Sequence, residues 1–139
     1  MESYEVKDAI RETFTKLMQL EQVKKRLAFF EADQARCIAE QKDLVTVEAP
    51  TFAEEKRAQY YAERLKELGL LNVHIDKQGN VLGKRPGKGG GPKILIEAHL
   101  DTVFPLGTDV TPVERDGKIY APGICDDTRG LTANLSVIR

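Results

Sequence analysis

The sequence is poor in the features that most readily announce a function. It holds two cysteines in 139 residues, Cys37 and Cys125, far apart and with no CxxC pair. Neither a disulfide framework nor a thiolate zinc knuckle is indicated, and reduced thiols are expected. Lysine and arginine number 21 against 22 acidic residues, a net charge of -1. That balance offers no general attraction to nucleic acid or to an anionic membrane, so neither is expected as a partner. The start, Met-Glu-Ser-Tyr-Glu-Val-Lys-Asp, has no basic n-region and no long apolar core. No signal peptide or membrane span is expected, and the cytoplasm is the expected compartment. Internal repeats and low-complexity tracts are lacking too. What is present suits one ordinary globular domain, with 41% hydrophobic and 31% charged residues at a common domain length.

Helical spacing comes first. Val6, Ile10, Phe14, Leu17, Met18, Val23, Leu27, Phe30 and Ile38 recur without a proline or glycine between Tyr4 and Asp43, which predicts helix in one to three pieces. Residues 1–43 are accordingly read as a helical segment and 44–139 as the main body. Ala49-Pro50 turns the chain, and Thr51-Phe52-Ala53-Glu54 has the form of a capping box for a helix through Ala58, Tyr61, Leu65 and Leu68, ending at Gly69. Leu70 to Asp76 and Val81 to Lys84 predict a hairpin, in which His74 is an ordinary half-exposed strand histidine. The glycine-rich stretch from Arg85 to Lys93 resembles a phosphate loop only superficially. It leads through Pro92 into a strand rather than into a helix, so a solvated connector is expected.

The strand it leads into is the centre of the reading. Ile94-Leu95-Ile96-Glu97-Ala98 is an apolar run that predicts a buried parallel strand, and it ends in His99-Leu100-Asp101-Thr102. Ligands collect at the carboxyl ends of strands in open α/β sheets, so the expected class is α/β, with helices packed on a mixed, largely parallel sheet. His99 and Asp101 make a coherent pair, because a metal-bound imidazole typically donates its other N–H to a carboxylate. Asp116-Gly117 then predicts a hairpin turn, and Leu131 to Ile138 predicts a helix. Between them lies Gly123-Ile124-Cys125-Asp126-Asp127-Thr128-Arg129-Gly130. One aspartate before a helix is a good cap, and Thr128 could serve instead. Two exceed structural need, and a carboxylate can bridge two divalent ions. The thiol of Cys125, beside them, is expected to pack as a small hydrophobe.

The combination His99-Leu100-Asp101-Thr102-Val103 with Gly123-Ile124-Cys125-Asp126-Asp127-Thr128-Arg129-Gly130 closely resembles the zinc-dependent exopeptidase and deacylase family of glutamate carboxypeptidase, peptidase T, acetylornithine deacetylase and succinyl-diaminopimelate desuccinylase. The likeness runs from about Asp43 to Arg139, with Glu48-Ala49-Pro50-Thr51 and Gly79-Asn80-Val81 at family-like places. It implies a water-activated di-zinc hydrolase of peptide or N-acyl amino acid bonds, with cobalt or manganese as substitutes for zinc. It further implies a small peptide or N-acyl amino acid as substrate and a dimer for the complete enzyme. Residue by residue, it makes His99 a ligand of one zinc, Asp101 the catalytic aspartate supporting that histidine, and Asp126 the bridge between both ions. Asp127 follows in the family's strained Asp-Asp peptide. Where the family more often reads Asp-Asp-Lys-Gly-Gly, this chain reads Asp-Asp-Thr-Arg-Gly, which leaves the ligands intact and the substrate subgroup open. The family's general-base glutamate and its remaining ligands have no counterpart here. The expectation is an N-terminal portion of the catalytic domain, inactive alone. A non-catalytic interaction module, docking through the helices of Tyr4 to Asp43 and keeping relic ligands, is the alternative.

Overall fold

The computed structural model describes residues 6–139, so the first five residues, including Tyr4 where the expected first helix begins, lie outside the described ones. The chain divides into two compact units, Met1–Ala35 and Arg36–Arg139. In the first, α1 spans Asp8–Gln19 and α2 starts at Glu21, with Leu20 extended between them. Asp8 in the first turn of α1 and Lys16 in its last complement the helix dipole. No residue of α1 is buried, and its apolar stripe of Ile10, Phe14, Leu17 and Met18 faces solvent. No helix among the described residues is long and apolar enough to cross a membrane.

The second unit begins within α2, which ends at Val45, and adds α3 (Glu55–Glu67) and α4 (Thr128–Ile138). Its core is where these three helices meet: Leu44, Tyr61, Leu65, Leu131 and Leu135 form one buried cluster. The spacing explains the geometry, since Ala58, Tyr61, Ala62 and Leu65 fall on one face of α3, and Leu131 and Leu135 on one face of α4. Tyr61 can be buried because its hydroxyl donates to the Leu131 carbonyl at 2.9 Å. Burial, with Asp127 and Glu40 adding to it, pushes the phenol well above its ordinary pKa. At the end of α3, Gly69 takes φ +76 while its N–H reaches the Lys66 carbonyl and that of Leu70 the Leu65 carbonyl. This is a Schellman closure, which a left-handed glycine permits.

Two antiparallel hairpins complete the unit. β1 (Leu71–Ile75) pairs with β2 (Val81–Lys84), and β3 (Val113–Arg115) with β4 (Lys118–Tyr120). Asp116 and Gly117 both have positive φ, as the tight turn predicted from Asp-Gly requires. His74 is an exposed strand residue whose Nδ1 lies 2.8 Å from the Asn72 carbonyl.

Helices with small sheets are thus present, but the largely parallel sheet is not formed among the described residues. The run from Ile94 to Ala98 has no ladder partner, and Ile94 and Leu95 are 80% and 82% exposed. A strand exists only through its neighbours, and this segment finds none. Parallel pairing survives as one bridge, Pro50 with Thr102. The expected capping box is also rearranged. α3 starts at Glu55, Glu54 accepts from the Phe52 N–H at 2.7 Å, and Thr51 makes no cap.

Candidate metal centre

The exposed run becomes fixed at its carboxyl end. Leu100 packs against the helical core. Arg57, buried on α3, donates Nε to the Val47 carbonyl at 2.8 Å and Nη1 to the Leu100 carbonyl at 3.0 Å. Its burial lowers the guanidinium pKa, with Asp101 opposing. Thr102 donates its N–H to Ala49 at 2.7 Å, and its carbonyl accepts from the Thr51 N–H at 3.2 Å. These ties anchor the backbone on either side of Asp101.

His99 and Asp101 stand together as predicted, with His99 Nδ1 3.0 Å from Asp101 Oδ1 and also 3.0 Å from the Asp101 carbonyl. Both of those atoms accept, so Nδ1 carries a proton. The other carboxylate oxygen of Asp101 accepts from Thr51 Oγ1 at 3.0 Å. Thr51, read in the sequence as a helix cap, therefore belongs to the site. No local signal marks a contact made across 50 residues. Burial acts to raise the Asp101 pKa, but the bonds from Thr51 and His99 outweigh it and hold the carboxyl below its usual range.

Asp126 is brought to the opposite side of the imidazole. His99 Nε2 lies 2.8 Å from Asp126 Oδ1, and this contact raises the histidine pKa, against burial and with help from Asp101. The Asp126 side chain is 90% exposed, so its place is set by its backbone. That backbone needs small residues: a Cβ on Gly123, at φ +77, would meet Thr102 Cγ2 at 2.8 Å. The Asp126–Asp127 peptide bond is cis.

Asp127 has a different job from Asp126. Its Oδ1 accepts from the Gly130 N–H at 3.0 Å, capping α4, and its Oδ2 accepts from the His99 N–H at 3.2 Å. The cap is thus Asp127 and not Thr128, whose hydroxyl oxygen is buried without a hydrogen-bond partner. A Cβ on Gly130 would lie 2.1 Å from Asp127 Oδ1, so glycine is what lets the carboxylate close over the helix end. Cys125 is exposed rather than packed. Ile124 takes the buried position in this turn and leaves its successor pointing outward. An open, mainly apolar groove of about 540 Å³ is lined by Cys125 together with Val113, Ile119, Tyr120, Pro122 and Ile124, among others.

Imidazole nitrogen and carboxylate oxygen are the donor types zinc accepts, and zinc takes three or four such ligands from a protein. Among the described residues no group of three or more histidine, cysteine, aspartate or glutamate side chains could hold a metal ion. His99 and Asp126 fit as two members of a larger ligand set.

Comparison with known proteins agrees with the motifs. Residues 95–139 match the model of peptidase family M20/M25/M40. A Pyrococcus abyssi protein provisionally named a LysW-lysine/LysW-ornithine hydrolase is 45% identical over 95 residues, 68% of this chain and 26% of the relative. The succinyl-diaminopimelate desuccinylase of Corynebacterium glutamicum is 27% identical over 92 residues, 66% of this chain and 25% of the relative. Carboxypeptidase G2 of a Pseudomonas species is 31% identical over 117 residues, 77% of this chain and 28% of the relative. The chain spans about a quarter of the length of these curated relatives. The histidine–aspartate and double-aspartate motifs both lie inside the segment 95–139 that matches peptidase family M20/M25/M40.

Proposed function

We propose that the chain carries part of the active site of a metal-dependent hydrolase of amide bonds, acting on small peptides or N-acyl amino acids. The observation that carries this reading is the orientation of His99. Its protonated Nδ1 is turned onto Asp101, so a neutral ring presents the lone pair of Nε2 to a carboxylate oxygen 2.8 Å away. Two acceptors at that separation need a proton between them, and a metal ion could take the proton's place if the two atoms moved to about 3.3 Å apart. The raised histidine pKa is the proton's answer to the same geometry. The names of the relatives, two hydrolytic and one a carboxypeptidase, supply the reaction class.

In this reading His99 and Asp126 hold the ion, zinc first and cobalt or manganese as substitutes. Asp101 fixes the ring and strengthens it as a donor, and Thr51 holds Asp101 in turn. Asp126, whose side chain is 90% exposed, would be the carboxylate available to a second ion. Asp127 holds the turn instead, each of its oxygens accepting a backbone N–H, from His99 and from Gly130. When bound, a zinc pair polarises the amide carbonyl and lowers the pKa of the attacking water. The apolar groove lined in part by Cys125 suits an uncharged side chain or acyl group of the substrate. Action in the cytoplasm, and as a dimer in the complete enzyme, belongs to the same proposal.

With two donors for two ions, the isolated chain should bind zinc weakly and turn nothing over. Titration calorimetry of the chain and of His99→Ala checks this. Weak binding that disappears in the variant is the expected outcome. Sub-micromolar, His99-dependent binding would show that the ligand set is more complete than the geometry indicates, and identical binding by both proteins would remove His99 as a ligand.

A further inference from the structure

The turn that presents Asp126 is fastened to α2 by a polar network centred on the buried Gln41, which lies in neither motif. Gln41 is 7% exposed, and its Nε2 donates to the Ile124 carbonyl at 2.6 Å, two residues before Asp126. Its Oε1 accepts from Arg129 Nη1 at 3.4 Å, two residues after Asp127. The same Arg129 nitrogen lies 3.3 Å from the sulfur of the buried Cys37, one helical turn before Gln41. The partners fix the amide's orientation, since only its NH2 can donate to a carbonyl and only its oxygen can accept from a guanidinium.

From this geometry we infer that Gln41 and Arg129 are positioning residues, which set where the Asp126 carboxylate stands relative to His99. The inference rests on the metal-site reading above for its functional meaning. Asp126 has little else to hold it. Its side chain is almost wholly in solvent and is hydrogen-bonded to His99, so the path of residues 124 to 129 decides its position. Asp127 secures that path from one side through the His99 and Gly130 N–H groups. Gln41 secures it from the other, spanning 83 residues to a carbonyl inside the turn. Displacing a ligand by a fraction of its contact distance is costly at a metal site, because ligand orientation depends on such outer hydrogen bonds. The Arg129 that departs from the family's commoner lysine-glycine form thus acquires a use: it locks the amide of Gln41 in the donating orientation.

Gln41→Glu separates positioning from packing. The shape is kept and the carboxylate pairs with Arg129, but nothing is left to donate to Ile124. Amide hydrogen exchange should quicken at least tenfold at Gly130 and His99, with α3 amides unchanged. The zinc concentration that half-broadens the His99 ring signals in NMR should rise about tenfold. Arg129→Ala, a change at an exposed position, should move the same amides by about threefold. Unchanged exchange at Gly130 and His99 would overturn the inference, and so would uniform quickening that includes α3, which would make Gln41 a general core support. If zinc leaves the His99 signals of the unaltered chain untouched, the metal reading fails, while the exchange data still decide whether Gln41 positions the turn.

Discussion

Two apolar stretches lead to the candidate site, and they meet opposite fates. On α4, Leu131 and Leu135 are each 1% exposed, whereas Ile94 and Leu95 of the run before His99 are 80% and 82% exposed. Their side chains are equally apolar. Hydrophobicity states what burial would gain, about 25 cal/mol for each Å² removed from water. Whether burial happens depends on which surfaces the chain can bring alongside. The stripe of α4 meets Leu44, Tyr61 and Leu65. The run 94–96 meets no comparable surface among the described residues, and its backbone groups lack a ladder.

Three changes test this contrast. The largest effect is expected from Leu131→Ala, which should reduce the unfolding free energy by about 2–5 kcal/mol in urea denaturation. A loss under about 1 kcal/mol would show that the three-helix cluster is not the stabilising core. Arg57 sits where the two regions join. Arg57→Leu removes donors from the Val47 and Leu100 carbonyls and should cost about 1–3 kcal/mol. Its amide shift changes should concentrate at residues 47 and 99–102. Changes spread evenly over the chain would mean that the end of the run is held by something other than this side chain. The smallest effect should come from Leu95→Ser, within about 0.5 kcal/mol of the unaltered chain because the side chain is already in water. Its light scattering should fall, since exposed apolar patches promote association. A destabilisation well above that range would show that the run is covered in solution.

Legibility followed the range of the interactions. The helices α1 to α4 and both hairpins could be read because their determinants are local: 3.6-residue spacing, Gly69 at a helix end, Asp116-Gly117 at a turn. His99 and Asp101 were legible as a pair because two residues separate them. What could not be read depends on distant partners. Thr51 looked like a cap because the local pattern fits a capping box, yet its hydroxyl is taken by Asp101, 50 residues away. Thr128 looked able to cap α4, but the carboxylate of Asp127 reaches the Gly130 N–H and also the His99 N–H. Cys125 looked like a core residue until Ile124 took the buried position.

By itself, the sequence determined the helical stripes, the turns, the family likeness of the segment 95–139 and the pairing of His99 with Asp101. These are properties of short windows, where covalent geometry and residue chemistry leave few options. Only the tertiary structure decided that His99 is gripped on both ring nitrogens and that Asp127 caps α4 while also holding the His99 N–H. Only there does it emerge that Gln41 holds the turn under Asp126 and that the run 94–96 lies bare. Each of these turns on which hydrogen-bond donors and apolar surfaces are brought within a few ångströms by chain folding, a relation that no local stretch of residues contains.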